Sequence, residues 1–264
     1  MSELTTYADA WRQACQDILG LLSELDPDDW QRPTDCPGWT VHDVVAHVAS
    51  LEREQADQVR QGDIVEGARD VVTTYTKIGV DARRGHSPDQ LVAELADAVG
   101  RRSDQLAAAP PTDPAGRPDH TPGGIDWDWR TLLRNRTLDV WVHEQDIRRA
   151  TGRPGGMSSS GADLVAATFG AAFPYVIGKR AGAGPGTTVV VEIDGTESAY
   201  AVDDNGRCRP VDELPTSPTT RLSMDRETLT ILGAGRRDPA DVEAEVVGDQ
   251  DLGLRILQGM AVTP

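Results

Sequence analysis

The chain has 264 residues, 38 % of them apolar and 26 % charged, enough for one large folded domain or two ordinary ones. Its net charge of −17, from 26 basic and 43 acidic side chains, excludes a general nucleic-acid binder and offers no attraction to an anionic membrane face. Local basic pockets remain open to it at GAGRRDP and DIRRA. Cys15, Cys36 and Cys208 are widely separated, form neither a disulfide framework nor a CxxC zinc motif, and read as inert small residues in a reducing compartment. No run reaches the ~18 consecutive apolar residues that span a bilayer. MSELTTYADAW lacks the basic and then apolar pattern of a signal peptide, so a cytoplasmic protein is expected.

In chain order, Tyr7, Trp11, Cys15, Ile18, Leu22 and Leu25 recur every three or four residues and predict a first helix over about 6–24. DPDDWQRPTDCPGW is a turn-rich connector. Thr40 and Asp43 match a capping box opening a second helix, buried through Val41, Val44, Val45, Val48 and Leu51, which carries His42 and His47. For 61–79 a helix is expected over a strand. Ser87-Pro88-Asp89-Gln90 starts another helix, with Ser as cap and Pro in the first turn, running to about Ala109. PPTDPAGRPDHTPGGIDWDW is long enough for a lid or a site mouth. A central helix follows over about 129–151, ended by Gly152 and Pro154. A further helix over about 160–180 should kink at Pro174.

After AGAGPG the period changes. TTVVVEI and SAYAV are β-branched runs joined by Asp194-Gly195, a hairpin signal, and Asp204-Asn205-Gly206 turns the chain again. TTRLSM and VEAEVV read as strands; Asp225 caps a helix through Leu232, and DQDLGLRILQGM forms the last helix. The expected fold class is α plus α+β, a helical domain over 1–182 followed by a smaller α+β domain over 187–264, with no internal repeat.

The chemistry-bearing stretch is RNRTLDVWVHEQDIRRATGR. Asp139 and His143 lie four residues apart, so a helix puts carboxylate and imidazole on one face, one turn apart. With His47 from the second helix they would make a three-ligand set of the catalytic-zinc kind, equally suited to non-haem iron. A D-x-x-x-H pair serves equally as a surface ion pair or a polar packing contact. Glu144, Gln145 and Asp146 fit either groups that orient a ligand imidazole or a solvated acidic face. His42, His86 and His120 read as exposed, and the tryptophans as packing residues.

CPGWTVHDVVAHVASLE followed by RTLDVWVHEQDIRRATGRP resembles the mycothiol-dependent maleylpyruvate isomerase family, a DinB-like four-helix bundle. The last 46 residues, from TTRLSM onward, are similar to that family's sterol-carrier-like C-terminal domain. The resemblance implies zinc or another divalent metal, held by a histidine of the second helix and an E-x-x-x-H pair. The matching positions are His47, Asp139 and His143, with Asp in place of the family's Glu. It further implies mycothiol as thiol cosubstrate. The metal-activated thiolate would add to a small electrophile, either for cis–trans isomerisation or, favoured slightly by the Asp substitution, for S-transfer. Arg236 and Arg237 are candidates to bind a carboxylate of thiol or substrate, although a solvated turn explains them too. Neither nucleic acid nor membrane is expected as a partner, and a monomer or homodimer is. The alternative function is a non-catalytic small-molecule or lipid-binding, or regulatory, protein on the same scaffold.

Overall fold

The computed structural model describes residues 2–63 and 74–263. It divides into two compact units, Met1–Val165 and Ala166–Thr263. The first unit is helical: α1 (Glu3–Leu22), α2 (Val41–Asp57), α3 (Thr76–Arg83), α4 (Pro88–Ala108) and α5 (Trp129–Thr151), with α6 (Ser160–Gly170) running across the division. α1 packs on α5, α5 on α2, α2 on α4 and α4 on α1, closing a four-helix bundle. Its core is built on Trp11, Ile18, Val44, Val48, Leu91, Leu95, Leu132, Val140 and Trp141, all nearly inaccessible to solvent.

The helix starts follow the sequence signals. Thr40 Oγ1 accepts from the Asp43 N–H while Asp43 returns a carboxylate to the Thr40 N–H, and Ser87 and Gln90 form the same reciprocal pair. α5 begins at Asp128, whose side chain accepts from the Thr131 N–H, and ends at Gly152 in the left-handed region. α1 starts three residues earlier than the expected start at 6, because Ser2 caps it. Of the expected 61–79 helix, 64–73 lie outside the described residues, and Thr76–Arg83 is helical.

The long connector after α4 folds back on α2. The Glu54 carboxylate accepts from the Gly123 N–H and pairs with His120, which is part-buried rather than exposed as expected. His42, also expected in solvent, contacts the His86 carbonyl oxygen through Nε2 at 2.8 Å.

In the second unit the helical path breaks after Gly170, resumes at Phe173–Tyr175 with Pro174 in its first turn, and closes as a π-turn over Val176–Arg180. By length and composition alone Ser160–Arg180 is apolar enough to cross a membrane; Val165, Phe169, Phe173, Val176 and Ile177 in it are buried, and the segment as a whole is only partly so. The sheet comprises β1 (Thr188–Ile193), β2 (Thr196–Val202), β3 (Cys208–Val211), β4 (Thr220–Met224) and β5 (Glu245–Gly248), in the order β3-β2-β1-β4-β5. β1 is parallel to β4 and the other pairs are antiparallel. Asp194 and Gly195, both at positive φ, make the β1–β2 turn. β3 is an element the sequence pattern missed, since its alternation is short and holds Pro210. α7 (Arg226–Gly233), capped by Asp225, and α8 (Gln250–Gln258) complete the unit, with α8 against β4 and β5.

Candidate metal centre

The candidate site lies where α2 faces α5 in the bundle. His47 Nε2 is 3.2 Å from Asp139 Oδ1, and the same oxygen is 3.7 Å from His143 Nε2. One nitrogen from each imidazole and one carboxylate oxygen thus converge, all within 4.8 Å of one another. The four-residue spacing of Asp139 and His143 supplies two of these groups from one helix face; packing of α2 supplies the third. The imidazoles meet edge to face, ring centroids 4.7 Å apart.

The third wall comes from the connector before α2. Cys36-Pro37-Gly38-Trp39 is a tight turn in which the Trp39 N–H donates to the Cys36 carbonyl, and Gly38 supplies the required positive φ of 78°. The turn sets Trp39 over both imidazoles, with centroids 5.2 Å from His47 and 6.2 Å from His143. At its other end Cys36 Sγ donates to Asp146 Oδ2 at 3.1 Å. Arg149 fastens the same turn, bonding Asp35 at 2.8 Å and Asp146 at 2.5 Å.

Asp139 and His143 are each held by a further group, whereas the buried His47 Nδ1 has no hydrogen-bond partner among the described residues. Asp146 Oδ2 lies 3.0 Å from His143 Nδ1, and an ionised carboxylate only accepts, so the proton sits on Nδ1. Arg136 Nη1 bonds Asp139 Oδ2 at 3.1 Å and uses its other nitrogens on Glu52, whose second oxygen accepts from Trp11 Nε1. Glu52, Arg136 and Asp146 are buried, and each has a charged partner, as buried charge requires.

The electrostatics suit a cation. Burial pushes the His47 pKa down, against the attraction of Asp139, so its imidazole is neutral at pH 7. Asp139 is resisted by burial but held ionised by His47 and Arg136, well below the usual carboxylate range. His143, despite burial, is pushed up to about 10 by Asp146, Cys36 and Asp139. Two ligands are therefore ready for a metal, and the third carries a proton that a metal would replace. The residues present fit a divalent ion.

Cys36, His143 and Asp146 also cluster, through the other nitrogen of His143. Asp146 Oδ2 there accepts two hydrogen bonds, and the set is satisfied without an ion. Cys36, read from the sequence as inert, is a hydrogen-bond donor to the group that orients His143. Of the acidic run, Asp146 holds the imidazole whereas Glu144 pairs with Arg148, and all of it is buried. Arg136 and Glu52 were not anticipated; R-x-x-D ending at Asp139 was the available signal. Arg236 and Arg237 follow α7 in the second unit, where Arg236 Nη1 donates to the Ala234 carbonyl.

Two solved structures share the fold. The crystal structure of the mycothiol-dependent maleylpyruvate isomerase superposes with a TM-score of 0.56 at 16 % identity, covering 89 % of this chain and 90 % of that one. A mutant of it with one histidine changed to alanine gives 0.55 at the same identity and coverage. Among curated proteins none matches. The model of the mycothiol maleylpyruvate isomerase N-terminal domain matches residues 11–148, which contain every residue of the candidate centre except Arg149. On that match, the chain belongs to the mycothiol maleylpyruvate isomerase family.

Proposed function

We propose that the protein is a divalent-metal enzyme, zinc being the ion the family resemblance implies, that activates a low-molecular-weight thiol, mycothiol, toward a small electrophile. The observation that carries this is the convergence of His47 Nε2, Asp139 Oδ1 and His143 Nε2 in one pocket. When bound, such an ion supplies the Lewis acidity that lowers a thiol's pKa into the neutral range. The protein's own residues prepare that pocket. Asp146 keeps the His143 proton on Nδ1 and so leaves Nε2 for the ion. Arg136 fixes the Asp139 carboxylate and offsets its charge. Trp39 forms an apolar wall over both imidazoles, which keeps water from competing with a thiolate. Aspartate in place of glutamate draws the site toward α5, and its oxygen still reaches both imidazole nitrogens.

For the reaction, thiol-assisted cis–trans isomerisation is the family's activity, and S-transfer is the variant on the same activated thiol. In the first the thiol is recovered; in the second it is consumed. Arg236 and Arg237 are proposed as contacts for a carboxylate of the thiol or the substrate. Purified protein should carry near-stoichiometric zinc, lost in His47→Ala, Asp139→Ala and His143→Ala. With mycothiol and maleylpyruvate, turnover without net thiol loss supports isomerisation, and a thioether product supports transfer. A protein that neither contains nor takes up zinc overturns the reading.

A further inference from the structure

The second unit has an open cleft of ≈ 630 Å³ between the helical segment that ends at Arg180 and the turn joining β2 to β3. The volume falls within the roughly 300–1,000 Å³ range of small-molecule sites. Its rim is cationic: Lys179 on one side, Arg207 and Arg209 on the other. Asp203 lines it too and pairs with Arg209 at 3.6 Å. Among the described residues, neither Lys179 nor Arg207 has a carboxylate oxygen within 4.0 Å. Arg12, Arg83, Arg149 and Arg153 each sit within 3 Å of an acidic oxygen, and Arg102, Arg134, Arg180 and Arg255, which have no such partner, bond amide or backbone oxygens instead. Lys179 also complements the carbonyls at its helix end, but that does not account for Arg207 across the cleft.

The same cleft is lined by Tyr175, a large aromatic ring left 55 % exposed. Arg180 lies over it at 5.4 Å and donates to the Gly259 carbonyl, so the ring is braced. The walls are in close register: a Cβ at Gly178 would lie 3.1 Å from the Cys208 Cβ, so the helical segment meets β3 backbone to side chain. A concave surface with like charges facing one another and a flat apolar ring describes a site for a ring-bearing anion.

We propose that this cleft binds a small organic anion, a carboxylate or phosphate ester carrying a planar ring, with the charge held by Lys179 and Arg207 and the ring stacked on Tyr175. All the residues that line the cleft belong to the second unit. The test is an amide chemical-shift titration of the full-length protein with phenyl phosphate, benzoate, inorganic phosphate and phenol. Phenyl phosphate and benzoate should saturate shifts at Gly178, Gly206 and Cys208. Lys179→Ala and Arg207→Ala should each weaken them about tenfold, the factor one charge-assisted hydrogen bond carries. Tyr175→Ala should weaken the ring-bearing anions but leave inorganic phosphate unchanged. All three side chains are solvent-facing, so the variants retain the rest of the spectrum. Absence of saturation, equal binding of phenol, or binding indifferent to these substitutions would each overturn the proposal.

Discussion

The two units bury different kinds of residue. The bundle interior holds Asp29, His47, Glu52, Glu54, Arg136, His143, Glu144 and Asp146. Among the described residues of the second unit, the buried polar side chains are Thr220, Thr228 and Thr230. The threonines cost little, because a hydroxyl can bond a nearby carbonyl, as Thr230 does with that of Arg226. A charge withdrawn from water costs several kcal/mol unless it is paired, so the bundle spends arginines to hold its carboxylates: Arg136 on Glu52 and Asp139, Arg148 on Glu144, Arg149 on Asp146. The α2–α5 interface thus holds paired charges in its interior, as the proposed metal site requires, whereas the second unit keeps a conventional apolar core.

The comparison breaks first at Arg136. Arg136→Leu leaves Glu52 and Asp139 without their shared partner and should lower stability by about 3–5 kcal/mol in urea unfolding; a loss within the error of the measurement would mean the buried charges are solvated after all. Next, Asp146→Asn weakens the hold on His143 and should reduce zinc affinity by about 10–100-fold in chelator competition, with the fold intact. An unchanged affinity would remove Asp146 from the site.

In the second unit the counterpart test is steric. A Cβ at Gly233 would lie 2.5 Å from the Phe169 ring, so Gly233→Ala should cost about 1–3 kcal/mol through overpacking alone, independent of pH and zinc. Dependence on either would blur the distinction between the units.

The pH dependence belongs to the bundle. His143 has a folded pKa raised to about 10. Its contribution to the metal-free protein is therefore fully present below the ordinary histidine value of about 6.5 and is lost as pH rises through about 10. Zinc competes with that proton, so its affinity should rise with pH, by up to about tenfold per unit between pH 6 and 8. Chelator titrations at several pH values check this, and a flat profile would mean His143 binds without releasing a proton. The smallest effect is expected at a solvated pair: Lys77→Ala, opposite Asp81 at 2.6 Å, should leave the melting temperature unchanged within the error of the measurement.

Much of this was legible in the residues. The capping boxes at Thr40 and Ser87, the cap at Asp225, the Asp194-Gly195 turn and the shift from helical to alternating period are local signals, and local backbone preferences satisfied them. The edge strand β3 was not, because four residues with a proline carry too little alternation to register. His120 and His42 were misjudged for a related reason: a turn-rich sequence says that the chain bends, not what it bends onto.

For the site, sequence alone determined that Asp139 and His143 share a helix face, since 3.6 residues per turn fixes that wherever the helix forms. His47, on the second helix, was the candidate third ligand, and the resemblance to a family pointed to the same position. That His47, 92 residues before Asp139, turns Nε2 toward an oxygen of Asp139 is a result of how α2 packs against α5. The tertiary structure also decided that Arg136 reaches back to Glu52, and that the Cys36–Trp39 turn closes over the imidazoles with its thiol on Asp146. These contacts depend on how two helices and a loop pack. Packing is fixed by the sum of buried side chains over the whole bundle, and no stretch of sequence carries that sum by itself.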